Sequence, residues 1–324
     1  MKPLVSRQEF LKVVAGGVAT AAGAERTFSQ QTADVRTYVY KRAGRCEIKA
    51  DVYGADDRVR KPAVMWIHGG ALILGDRKGT SRLLQGLLLK SGFVVVSIDY
   101  RLAPETKLPG ILEDVRDAWQ WVRKKGPQLF RMDVNRIGVA GGSAGGYLTL
   151  MAGFCLTPRP RALASFWGYG DIAGPWYSRP DPFYSKQPAV SKEEAYGAVG
   201  RAAISEPPGK HNRGRFYLYC RQQGLWPKEV TGHDPDADPR WFDRFCPVRN
   251  VSAQYPPTLL VHGTADTDVP YELSKMMAEK LAQAGVKHEL LTVPGGGHGL
   301  AGVAPAEAAR VYERASAFLQ AHTA

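Results

Sequence analysis

The chain has 324 residues, 44% hydrophobic and 23% charged, enough apolar material for one large core or two modest ones. No apolar run approaches the roughly 20 residues of a membrane span, and no repeat, low-complexity tract or block of like charge interrupts the sequence. The formal charge of +12 invites a nucleic-acid partner, but Lys and Arg are spread along the whole chain and no nucleic-acid-binding motif is legible, so a dispersed basic surface is expected.

The first stretch in chain order is not expected to join the fold. Lys2, Arg7 and Lys12 surround the start, a weakly apolar run follows at 13–24, and Ala22-Gly23-Ala24 offers a small-residue cleavage site before Glu25. Residues 1–24 therefore read as an export signal, with a periplasmic or extracellular destination. Ser6 to Lys12 resembles a twin-arginine motif, but Gln8 stands where the second arginine belongs. The alternative is a short amphipathic helix on a cytoplasmic protein. Cys46, Cys155, Cys220 and Cys246 form no CxxC pair and no zinc-type spacing. Cys220 and Cys246 could pair in an oxidising compartment; otherwise all four are thiols.

Residues 37–41 and 46–53 alternate polar and apolar, as two antiparallel strands with one wet face do. The runs 63–67, 93–98, 136–140 and 258–261 are short and almost wholly apolar, which fits strands buried on both faces. Between them lie helical patterns. Ile111, Leu112, Val115, Trp119 and Val122 make one helix face; Leu273, Met276, Met277, Leu281 and Ala284 a second; Ala308, Val311, Tyr312, Ala315, Phe318 and Leu319 a third. Strand and helix in alternation predict an α/β fold with a doubly wound, mostly parallel sheet and an antiparallel edge. Residues 174–257 break the rhythm, being rich in Pro, Arg and aromatics, and are expected to form an inserted cap of short helices. The core is then 25–173 and 258–324.

Gly141-Gly142-Ser143-Ala144-Gly145 follows a buried strand and precedes a helix, the setting of a nucleophile elbow. A serine hydroxyl needs a base to take its proton and an acid to orient that base. His298, in the glycine-rich loop after a strand at 288–293, is the candidate base; His262 and His68 suit bracing roles, and His211 and His233 fall in the cap. Asp266 and Asp268 share one loop and both qualify as the acid; the other would serve a turn or cap the helix near Tyr271. Gly69, Gly70 and Ala71, with Ala144 across the turn, are the candidate N–H donors for an oxyanion, Gly70 and Ala71 foremost.

On His68-Gly-Gly70, Asp99-Tyr-Arg-Leu-Ala-Pro104, Gly141-Gly-Ser-Ala-Gly-Gly146 and the Gly-His298-Gly context, residues 60–320 resemble α/β-hydrolases of the hormone-sensitive-lipase-like and bacterial carboxylesterase group. The resemblance implies Ser143, Asp266 and His298 as a triad, an ester substrate, small or polymer-linked, and no cofactor or metal. Two positions depart from it: Ala71 stands for a third glycine and Gly142 for the usual acidic residue. Residues 262–281 are also similar to prolyl-oligopeptidase-type peptidases and feruloyl-esterase-like enzymes. The expected activity is ester hydrolysis through an acyl-enzyme; the alternatives are a serine peptidase and a non-catalytic binding module on the same fold. Export with a basic, aromatic cap suits acetyl or feruloyl esters on plant polymers.

Overall fold

The apolar runs become adjacent strands of one eight-stranded sheet. The computed structural model describes residues 35–55, 59–209 and 212–323; the export signal expected at 1–24, and His211, lie outside them. The strands are β1 (Val35–Ala43), β2 (Cys46–Tyr53), β3 (Lys61–Ile67), β4 (Val94–Ile98), β5 (Met132–Gly142), β6 (Leu163–Phe166), β7 (Thr258–Gly263) and β8 (His288–Val293). Their order across the sheet is β1-β2-β4-β3-β5-β6-β7-β8. Only the β1–β2 and β2–β4 pairs are antiparallel; all others are parallel. The strand β6 has no counterpart in the sequence reading.

The helices of the core are α1 (Arg82–Lys90), α2 (Leu108–Leu129) and α3 (Ala144–Cys155). Between β6 and β7 come α4 (Pro175–Ser178), α5 (Lys192–Gly197), α6 (Arg213–Gln223) and α7 (Trp226–Thr231), with short 3-10 turns. The chain closes with α8 (Glu272–Gln283) and α9 (Pro305–Thr323). The strand β3 shows why its sequence is continuously apolar. Ala63, Met65 and Ile67 pack on one face with Ile111, Val115, Leu148 and Met277, while Val64 and Trp66 pack on the other with Leu84, Leu88, Val311 and Phe318. Both faces are thus covered by helices, and a polar residue at any of these positions would lose its water without gaining a partner.

The short helices of 175–249 fill the stretch expected to form the cap, and they are tied to the core by directed hydrogen bonds. The buried Arg213 of α6 donates through Nε to the Ile73 carbonyl (2.6 Å) and through its two end nitrogens to Glu105 (2.7 and 2.8 Å). Trp226 of α7 donates Nε1–H to the Ala71 carbonyl (2.9 Å). Two expectations change. Met276, placed on the buried face of its helix, is 38% exposed, whereas Leu273, Met277 and Leu281 are buried. Cys220 and Cys246, the pair considered for a disulfide, are separate buried thiols, and Cys46 and Cys155 are free as well. Among the described residues no helix is long and apolar enough to cross a membrane.

Candidate active site

Parallel register brings the C-terminal ends of the central strands level. Ile67 pairs with Gly141, Gly141 with Ser165, and Phe166 with Val261. The loops leaving those ends carry His68 to Leu72, Ser143, Trp167 and Asp266, at the edge where doubly wound sheets bind ligands.

Ser143 stands alone between β5 and α3 with φ 56° and ψ −122°. Side-chain-bearing residues avoid this region, so the turn persists only because its surroundings fix it. Two glycines make that possible. A Cβ on Gly145 would sit 2.0 Å from the Ile67 carbonyl oxygen, and one on Gly141 2.6 Å from the same atom. The serine N–H is held by the Phe166 carbonyl (2.9 Å). Among the described residues, the non-glycine positions with positive φ are Ala71, Leu72, Arg131, Ser143, Trp167 and Leu300, and all but Arg131 lie in the serine's own turn or in the loops that follow β3, β6 and β8. Backbone strain is therefore concentrated at one place.

The Ser143 hydroxyl lies 3.1 Å from His298 Nε2, and His298 Nδ1 lies 2.8 Å from Asp266 Oδ2. A carboxylate at Nδ1 requires the proton there, which leaves Nε2 to accept from the serine. Asp266 is itself pinned: its Oδ1 accepts the N–H groups of Asp268 (2.8 Å) and Val269 (2.9 Å). Burial alone would raise this carboxyl, but the neighbouring His298 and His262 hold it well below the usual carboxylate range. Burial likewise disfavours the charged ring of His298, yet Asp266 first and Asp268 second hold its pKa above the ordinary 6.5.

The turn after β3 faces the serine from the other side. Gly69 packs on the elbow so closely that a Cβ there would meet the Gly142 carbonyl at 2.8 Å. Gly70, Ala71 and Leu72 follow with φ of 108°, 55° and 62°. The N–H groups of Gly70, Ala71 and Ala144 donate to no backbone group among the described residues. His68 is a brace here. Its ring stacks on Tyr100 at 4.2 Å, burial pushes its pKa down to about 4, and Tyr100 donates to the His68 carbonyl (3.0 Å). Asp99 accepts the Arg77 N–H (2.7 Å) and Nη1 (2.8 Å). The Asp99 to Pro104 motif thus buttresses the turn rather than touching Ser143.

The family model described as alpha/beta hydrolase fold matches residues 64–302. This chain belongs to that family. The hydrolase is 29% identical over 317 residues to a non-reducing polyketide synthase of Emericella nidulans and 30% identical over 312 residues to one of Aspergillus terreus. Those matches take in 82% and 81% of the chain but only 13% of each synthase. Among solved structures the hydrolase is similar to a Staphylococcus aureus protein of unknown function (TM-score 0.73, 20% identity, 90% of this chain and 100% of that one). It is also similar to an alpha/beta hydrolase superfamily protein of Enterococcus faecalis (TM-score 0.68, 22% identity, 89% and 98%). A third likeness is to an esterase of Thermogutta terrifontis with propionate bound (TM-score 0.62, 21% identity, 90% and 95%).

The structure brings Ser143, His298 and Asp266 into hydrogen-bonding contact and packs Gly69 on the elbow, but several neighbours were not foreseen. Trp167 (φ 38°) presents its ring edge-to-face to His298 at 6.3 Å. The same ring lies 3.2 Å from where a Cβ on Gly142 would stand. That explains the glycine found where the resemblance leads one to look for an acid. Asp268 neither turns a loop nor caps α8, the roles expected of the second aspartate. Its side chain reaches into the cap, accepting from Tyr184 (2.9 Å), Tyr217 (2.5 Å) and Arg221 (2.8 Å). Tyr184, Tyr217 and Arg221 come from a stretch whose aromatics looked alike in sequence, and no spacing marked these three.

Proposed function

We propose that this hydrolase cleaves carboxylic esters through an acyl-enzyme on Ser143, with His298 as base and Asp266 as orienting acid. The observation that carries the reading is the unbroken chain from Ser143 Oγ through His298 to Asp266, at 3.1 and 2.8 Å. His298 Nε2 takes the serine proton as Oγ adds to the ester carbonyl carbon. The negative charge on the carbonyl oxygen is met by the N–H groups of Gly70, Ala71 and Ala144 beside Gly69, where each such donor contributes about 3 kcal/mol to the transition state. Collapse expels the alcohol, which leaves with the proton from His298. Water then adds to the acyl-enzyme, giving up a proton to His298, and His298 returns that proton to Ser143 Oγ as the acyl C–O bond breaks and the acid departs. The likeness to an esterase with propionate bound supports this choice within a family of varied hydrolases. Export by the signal read at 1–24 belongs to the same proposal.

Labelling with a fluorophosphonate and hydrolysis of p-nitrophenyl acetate test it together. The wild-type protein takes up the label and turns over the ester; Ser143→Ala does neither. Hydrolysis that survives in the alanine variant sinks the assignment of the nucleophile. Acetyl, longer-acyl, feruloyl and aminoacyl substrates compared on one preparation then separate an esterase from a peptidase.

A further inference from the structure

Asp268 lies on the serine side of His298, opposite Asp266. Its two carboxylate oxygens have different surroundings. Oδ1 gathers Tyr184 Oη (2.9 Å), Tyr217 Oη (2.5 Å) and Arg221 Nη1 (2.8 Å), and Arg221 Nη1 also reaches the Asp268 carbonyl (3.0 Å). Oδ2 accepts no hydrogen bond among the described residues and stands 3.5 Å from His298 Nε2, the nitrogen that faces Ser143. The clamp is built from buried side chains. Arg221 is buried, bonds Asp181 as well, and lies 4.8–5.8 Å from the ring centres of Tyr184, Tyr177, Trp176 and Tyr217. Burial drives the phenols of Tyr184 and Tyr217 well above their ordinary pKa, so they remain donors.

The geometry points to Asp268 as a second acid for His298, a positioning residue held by the cap that steadies the imidazolium formed when Ser143 gives up its proton. This rests on the proposed role of Ser143 and His298. In the resting site Nε2 accepts from the serine and Oδ2 has nothing to bind. After proton transfer, Nε2–H carries positive charge toward Oδ2, and a small ring rotation closes 3.5 Å to a charge-assisted hydrogen bond. No atom is exchanged with Asp268; the proton stays on Nε2 until the leaving alcohol takes it. Charge fixed in advance where charge develops is the most effective form of transition-state stabilisation. The charged groups facing the ring are Asp266 at Nδ1, Asp268 at Nε2 and Arg221 behind Asp268; His262 reaches it only through Asp266. The two acids favour the charged ring and Arg221 opposes it.

The test is the pH profile of kcat/KM for p-nitrophenyl acetate. Asp268→Asn is expected to lower the plateau about tenfold and to move the acid limb to lower pH by roughly half a unit or more. Tyr217→Phe, which loosens the clamp but keeps the charge, leaves the limb in place. A folded Asp268→Asn variant with the wild-type limb overturns the inference. Should that variant melt below the assay temperature, Arg221→Gln reads the same charge from the other side: it unmasks Asp268 and moves the limb upward, and an unmoved limb there is equally fatal. Ser143→Ala run in parallel separates the two claims. Activity surviving in it defeats the assigned nucleophile, whereas its inactivity beside an unaltered Asp268→Asn profile defeats the second acid alone.

Discussion

Two aspartates two residues apart in one loop end on opposite nitrogens of one ring. Backbone N–H groups at 268 and 269 fold the Asp266 carboxylate back over its own turn, so that Oδ2 faces Nδ1 of His298. Asp266→Asn would present an amide donor to Nδ1 and favour the wrong tautomer, so kcat is expected to fall about 10⁴-fold, as in other serine hydrolases. Steady-state kinetics on a variant whose melting temperature matches wild type checks this, and a loss under tenfold would mean that Asp266 does not carry the orienting role. The wild-type acid limb also has a defined sign. His298 must be neutral to act, and its pKa is raised, so the midpoint of the acid limb lies above the ordinary imidazole value and activity is lost as pH falls through it. At this scale the sequence was partly legible. Glycines flanking Ser143 and His298 announce tight loops, because only glycine tolerates the close approach of Gly145 to Ile67. Which oxygen of which aspartate faces which nitrogen depends on loop torsions that no spacing encodes.

Among the elements, those with a clean period were readable and those without were not. The continuous apolar runs of β3, β4 and β7 stand out because both sheet faces are covered. The strand β6 escaped notice because four residues, Leu-Ala-Ser-Phe, are too few to show a pattern. Helix α6 hides for another reason: Arg213 and Arg221 lie in its buried set beside Phe216 and Tyr217, so charge falls where a period would demand an apolar residue. Helix α7 matters most to the chemistry through Trp226. Its indole N–H fixes the Ala71 peptide, whose φ of 55° an alanine adopts at a cost of roughly 1–2 kcal/mol. Trp226→Phe keeps the ring stacked at 3.9 Å on Tyr177 but removes that hydrogen bond. It is expected to lower kcat about tenfold with KM nearly unchanged, the pattern of a contact that matters only in the transition state. A rise in KM with kcat intact would mean the indole serves substrate binding instead.

Over the whole molecule, the dispersed basic charge is not all at the surface. Arg77, Arg213 and Arg221 are buried, each against carboxylates: Asp51 and Asp99, Glu105, and Asp181 with Asp268. Composition cannot distinguish such interior cations from solvated ones, because pairing is decided by residues far apart in the chain. A buried ion pair contributes little net stability but is costly to break. These three therefore act as fasteners between segments. The cap's grip on the Ala71 carbonyl has a consequence for how the native state opens. A lid resting on the core through apolar contact alone could lift while the floor beneath stayed ordered. Here lifting α7 would strip the indole donor from the Ala71 carbonyl in a left-handed turn, so the insertion and the nucleophile's helix should open as a single cooperative unit. Native-state hydrogen exchange would report this as one opening free energy shared by amides of Arg213–Gln223 and Ala144–Cys155. Two well-separated values would mean that the lid breathes alone, and that its removal or exchange for another would leave the machinery below intact.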